Sequence, residues 1–109
     1  MTEERKTELD AIVKTIADTG MATKIIMFGS AARGDDTPDS DVDLCVLTPI
    51  TDKQPFDITV ELRQKLWDIP RTIPLDLLAY KHERFEYQAS RDRSFENTIS
   101  REGVVLYER

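Results

Sequence analysis

The run Lys24-Ile25-Ile26-Met27-Phe28 is apolar without alternation and stops at Gly29. Five residues are too few for a helix to stand on, whereas a strand covered on both faces reads as just such a continuous run. This stretch is therefore expected to be the first strand, buried above and below. Val42 to Leu47 reads as a second strand, closed by Thr48 and Pro49, and Leu75 to Tyr80 as a third, after a turn bracketed by Pro70 and Pro74.

Helical periodicity fills the intervals. From Thr7, the residues Leu9, Ile12, Val13, Ile16 and Ala17 recur at three- and four-residue spacing until Gly20 supplies a stop signal, which predicts an amphipathic first helix. Between about Asp57 and Ile69, the side chains Ile58, Leu62, Leu66 and Ile69 fall within an arc of ~80° at ~100° per residue, the core stripe of a second helix. Val60 and Trp67 lie together on its opposite side. Large aromatics are seldom fully exposed, so a neighbouring loop is expected to cover Trp67, the other reading being a contact for a partner. Gly29 to Ser40 reads as a short helical turn or loop, and Lys81-His82-Glu83-Arg84 as a charged surface turn. A polar helix from about Asp92 to Glu102 is expected to end at Gly103, before Val104-Val105-Leu106-Tyr107.

Composition narrows the function classes. A chain of 109 residues with 39% apolar content suits one domain, residues 1–109, without repeat or linker. Fifteen basic against 21 acidic residues give a net charge of −6 and a pI near 4.7. Such a surface is a poor fit for holding nucleic acid by phosphate neutralisation, so no direct nucleic-acid partner is expected. No apolar run approaches the ~20 residues of a membrane span, and the charged start Met1-Thr2-Glu3-Glu4-Arg5-Lys6 does not lead into a signal-peptide core. A cytoplasmic protein without membrane attachment is expected. One cysteine, Cys45, and one histidine, His82, cannot build a four-ligand zinc site. Cys45 reads as a small buried hydrophobe, and any metal must be held by carboxylates.

Suitable carboxylates stand at the mouth of the second strand, in Ser40-Asp41-Val42-Asp43-Leu44. Residues two apart in a strand point to one face, so the stems of Asp41 and Asp43 lie roughly 6.5 to 7 Å apart and their tips can converge on one ion. Mg²⁺ takes one or two protein carboxylates and leaves the remaining positions to water and substrate phosphates. Asp76, between Leu75 and Leu77, is a charge on an otherwise apolar strand, and a neighbouring strand could bring it to the same place. Acids so arranged repel one another unless a cation is present. By contrast, Asp35, Asp36 and Asp39 read as a solvated turn. Gly29, just after a strand, lets the backbone approach a phosphate, and Ser30 offers an N–H and a hydroxyl where a helix would start. Spacing excludes two other motifs. Asp35-Asp36 stand where a Walker A loop needs Lys and Ser/Thr. An EF-hand starting at Asp39, Asp41 or Asp43 would place Leu44, Val46 or Thr48 where glycine is required.

Gly29-Ser30, Arg33-Gly34, Ser40-Asp41-Val42-Asp43-Leu44 and Asp76-Leu77 resemble, in order, the motifs of the minimal nucleotidyltransferases of the DNA polymerase beta superfamily. The resemblance extends through the first helix and the terminal Glu102-Gly103-Val104-Val105-Leu106-Tyr107. It implies an α+β nucleotidyltransferase fold, a small mixed β-sheet with helices packed on it. It also implies catalytic and metal-holding roles for Asp41, Asp43 and Asp76, which would hold Mg²⁺ (two ions), and ATP as donor. Nucleotide phosphates would meet Gly29 and Ser30, with Arg33 either touching phosphate or buttressing the loop. The stand-alone proteins that this chain resembles are often antitoxins paired with a HEPN-domain toxin, an RNase. The implied activity is transfer of AMP to a toxin tyrosine. Two alternatives stay open: an inert antitoxin that neutralises by binding alone, and transfer to a small molecule such as an aminoglycoside.

Overall fold

A computed structural model describes residues 1–109. Four strands form one sheet in the order β3-β2-β1-β4: β1 Lys24–Phe28, β2 Val42–Thr48, β3 Leu75–Lys81 and β4 Val104–Glu108. Neighbours of β1 run antiparallel to it, while β2 and β3 are parallel, so the sheet is mixed. The helices are α1 Glu3–Asp18, α2 Ser30–Arg33, α3 Pro55–Leu66, α4 His82–Ala89 and α5 Phe95–Glu102. The α3 helix is the crossover that a parallel β2/β3 pair requires.

The continuous apolar run of β1 has the expected cause. Ile25 and Met27 enter a large core with Leu9, Ile12 and Ile16 of α1 and Ile58, Leu62 and Leu66 of α3. Ile26, pointing the other way, joins Cys45, Leu47, Phe85 and Ile99 beneath α4 and α5. Both faces of the strand are thus covered, the second less extensively. Burial pushes the Cys45 thiol up to about 12, with the charge of Glu96 adding to it, so Cys45 is the inert hydrophobe expected. No helix is long and apolar enough to cross a membrane.

Several boundaries depart from the sequence reading. The first helix begins at Glu3 rather than Thr7, because the Thr2 hydroxyl accepts from the Arg5 N–H and caps it. The second helix covers Pro55–Leu66 rather than Asp57–Ile69, with proline at its first turn. Residues from His82 form α4 instead of a turn, since Phe85 is buried against Tyr80, at a ring separation of 5.3 Å, and holds one helical turn onto the sheet. The last helix starts at Phe95, after Arg93 takes a positive φ of 67° and Ser94 caps the new helix through Asn97 N–H. Gly103 ends it in extended backbone. A Cβ there would run into the Ile26 side chain and the Ile99 carbonyl, so it is close packing that requires glycine.

Trp67 is the clearest correction. No loop covers it, and it is 84% exposed. With Phe56 (75%) and Val60 (38%) it forms an apolar stripe on the outer side of α3, at spacings of four and seven residues.

Candidate active site

The topology brings three stretches to one end of the sheet. β1 leaves it at Phe28, and parallel β2 and β3 both enter there. In this register Asp43 pairs with Phe28 on one side and Asp76 on the other. Strands lie about 4.8 Å apart, so side chains at paired positions on one face are immediate neighbours. Asp43 and Asp76 point to the thinner side of the sheet, with the parity of Cys45. Asp43 is half-buried and Asp76 exposed.

Two carboxylates held this close should resist ionising together. Burial pushes the Asp43 carboxyl above its ordinary value, then the charges of Asp76 and Asp41 raise it further, as does a hydrogen bond with Asp76. A divalent cation between them would relieve that repulsion, and an all-oxygen donor set is the one magnesium prefers. Asp41 precedes the strand and is exposed, and its charge weighs less on Asp43 than that of Asp76. The structure therefore joins Asp43 to Asp76 more closely than to Asp41, the pair that strand parity suggested. As the side chains stand, no three acidic, histidine or cysteine groups are gathered tightly enough to enclose an ion.

Gly29 faces Asp43. Its φ of 76° and ψ of −154° fall in a region essentially restricted to glycine, and a Cβ there would collide with Asp43 Oδ2. Ser30 begins α2, and its carbonyl accepts from the Asp35 N–H at 2.9 Å, which folds the loop back on itself. Arg33 donates from Nε to Asp35 Oδ2 at 3.1 Å, an exposed ion pair at the far side of that turn. In this arrangement Arg33 buttresses the loop.

One residue of the site escaped the sequence reading. Arg5, in the first turn of α1, is only 8% exposed. Its guanidinium donates to the Pro38 carbonyl (Nη1, 2.8 Å) and the Ser40 carbonyl (Nη2, 2.8 Å), clamping the segment that leads into Asp41 and Asp43. The signal was available, since Arg5 lies four residues before Leu9 on the buried stripe of α1. A charged residue in that position calls for a polar partner inside.

Residues 7–101 match the model of a protein family described as the nucleotidyltransferase domain. The chain belongs to that family. This nucleotidyltransferase is 33% identical over 88 residues to a Methanocaldococcus jannaschii protein that carries a provisional protein adenylyltransferase name, and the alignment covers 81% of each. Two solved structures share its fold at 20% identity. One is a crystal structure from Sulfolobus solfataricus provisionally assigned as a nucleotidyltransferase, with a TM-score of 0.61 over 96% of this chain and 81% of that one. The other is the crystal structure of a toxin–antitoxin with AMP-PNP, with a TM-score of 0.54 over 92% of this chain and 73% of that one. The α+β, mixed-sheet nucleotidyltransferase fold expected from the motifs is the fold of the molecule.

Proposed function

We propose that this nucleotidyltransferase moves AMP from ATP onto a tyrosine hydroxyl of a HEPN-domain toxin RNase and so acts as its antitoxin in the cytoplasm. The observation that carries the reading is the Asp43–Asp76 carboxylate pair at the strand entrances, with Gly29 facing Asp43. The protein adenylyltransferase name of the archaeal relative supports the donor and the acceptor class, and the AMP-PNP-bearing toxin–antitoxin neighbour supports the kind of partner.

In this reaction an acceptor oxygen bonds to the α-phosphorus as the bond from that phosphorus to the bridging oxygen breaks, and pyrophosphate leaves with the electron pair. Mg²⁺, held by Asp43 and Asp76 with Asp41 completing the set, would neutralise phosphate charge and polarise the reacting oxygens. Asp76, being exposed, is the carboxylate that can take the proton of an incoming hydroxyl. The Gly29-Ser30 turn presents backbone to the phosphates, and its missing Cβ leaves room for the Asp43 carboxylate beside it. Arg33 supports the turn through Asp35, and Arg5 holds the entry of β2 in place. The exposed Phe56, Val60 and Trp67 stripe is the surface this reading gives to the toxin.

The test uses ATP labelled at the α-phosphate, Mg²⁺ and the purified partner toxin. Label is expected on a toxin tyrosine with the native chain and none with Asp43→Asn. A toxin neutralised without label would establish the binding-only antitoxin instead. Label appearing on an aminoglycoside, in the absence of toxin, would establish the small-molecule enzyme.

A further inference from the structure

A cavity of about 720 Å³ lies away from the acids. It lies at the other end of the sheet, where β2 finishes at Thr48 and β3 at Lys81. Thr48 lies five steps along β2 from Asp43, about 16 Å at ~3.3 Å each. Its volume falls within the ~300–1,000 Å³ typical of sites for small ligands.

The lining is cationic in an acidic protein. Lys81, Arg84 and Arg109 border the cavity with Glu83 as the acidic side chain among them. Acids outnumber bases 21 to 15 in this chain, yet its ion pairs involve none of these three cations. Lys81 Nζ donates to the Thr51 carbonyl at 3.1 Å, and Arg109 Nη1 reaches the Gly20 carbonyl at 3.4 Å, so each keeps further donors. Arg84 is exposed and its five N–H donors are unspent within the fold.

A buried group points the same way. Thr48 is 1% exposed and lines the cavity, and its oxygen accepts from the Ile50 N–H at 3.2 Å. The proton of that hydroxyl has no acceptor in the fold. Buried donors are ordinarily satisfied, so this proton is available to an acceptor brought by a ligand, and the cations beside it favour an anionic one. The start of α4 opens on the same rim without a side-chain cap, adding the positive end of a helix dipole. Tyr87, 61% exposed, lays an aromatic ring along the edge.

From these observations we propose a second ligand site at this end of the sheet, for a phosphorylated small molecule of nucleotide size. Lys81 and Arg84 hold the phosphates, the Thr48 hydroxyl donates to one of their oxygens, and Tyr87 stacks on a ring. The site shares no residue with Asp41, Asp43 or Asp76, and the proposal does not depend on the transfer reaction.

The experiment is an amide-resolved NMR titration of the full chain with ATP, tripolyphosphate and adenosine, in EDTA to keep metal from the acids. Saturable shifts at Thr48 and across Lys81–Tyr87 are expected with ATP. Equal shifts with tripolyphosphate would assign recognition to phosphate alone, and shifts with ATP only would assign it to the whole nucleotide. Arg84→Glu and Lys81→Glu should each weaken the binding at least tenfold, leaving the response at Gly29–Asp43 and the thermal melt as they were. The proposal is overturned if no phosphate compound gives a saturable shift at these amides at millimolar concentration. It is equally overturned if the charge reversals leave affinity unchanged, or if adenosine binds as well as ATP.

Discussion

The α-carbon of Gly29 lies so close to the Asp43 carboxylate that a Cβ built on it overlaps Oδ2. Gly29→Ala therefore forces a residue into a backbone region that costs of order 1–3 kcal/mol and displaces the carboxylate as well. The variant should melt several degrees lower and lose transfer of labelled AMP. Gly34 makes the contrast, with an ordinary left-handed φ of 80°, ψ of 14° and open space around it. Gly34→Asn should keep both the melt and the transfer, because asparagine tolerates that conformation.

Asp43→Asn should abolish transfer and yet leave the metal-free protein no less stable at neutral pH. The carboxyl of Asp43 sits above its ordinary value in the folded chain, chiefly through burial. A raised folded value means that its contribution to stability is present below the unfolded value, about 3.9, and is lost as pH rises through the folded one. Melts in EDTA should show Asp43→Asn gaining on the native chain as pH rises out of the acidic range. Solvent screening keeps that gain below about 1 kcal/mol. A variant that loses ground with rising pH would contradict the carboxylate repulsion described above.

Arg5→Ala removes two 2.8 Å hydrogen bonds from a charged, buried donor to the Pro38 and Ser40 carbonyls. A loss of about 2 kcal/mol or more is expected, since both carbonyls lose a charge-assisted partner. Loosening the entry to β2 should also raise the Mg²⁺ concentration needed for half-maximal transfer. Arg5→Lys can satisfy one of the two carbonyls and should recover part of both effects. If Arg5 served stability alone, the melt would fall while the Mg²⁺ requirement of the folded fraction stayed put.

Trp67→Ala should leave the melting temperature of the isolated chain within the range of ordinary surface substitutions, about ±0.5 kcal/mol, because the ring is 84% exposed. Binding of the partner toxin should weaken by roughly 2 kcal/mol or more if the stripe with Phe56 and Val60 anchors the interface. Calorimetric titration of toxin into both chains measures this directly. Unchanged affinity would move the interface off α3.

The parts that were legible from residue order share a cause. A four-residue apolar run bounded by a lysine and a glycine has one use, and β1 occupies Lys24–Phe28 as read. The core stripe Ile58, Leu62 and Leu66 followed from a 3.6-residue period that any helix of that span would show. Arg5 was missed because the first helix was started at Thr7, the first residue of the obvious apolar stripe. The capping bond from the Arg5 N–H to Thr2 adds one more turn and carries Arg5 onto the buried face. The α4 helix was missed because it has a single fully buried side chain, Phe85, too few to show a period.

Local sequence was enough to determine that an aspartate stands at the start of the second strand, that a glycine follows the first strand, and that another aspartate interrupts an apolar run. These depend on spacing along one chain, and backbone geometry converts spacing into direction. Which acids meet was decided only by the sheet. Parallel pairing of β2 and β3 in the register Asp43↔Asp76 joins residues 33 positions apart, and no local period encodes a register between strands separated by a helix. The exposure of Trp67 was likewise a tertiary outcome. Helical spacing puts it on the outer side of α3, but only the placement of every other element decides whether something covers that side, and here nothing does.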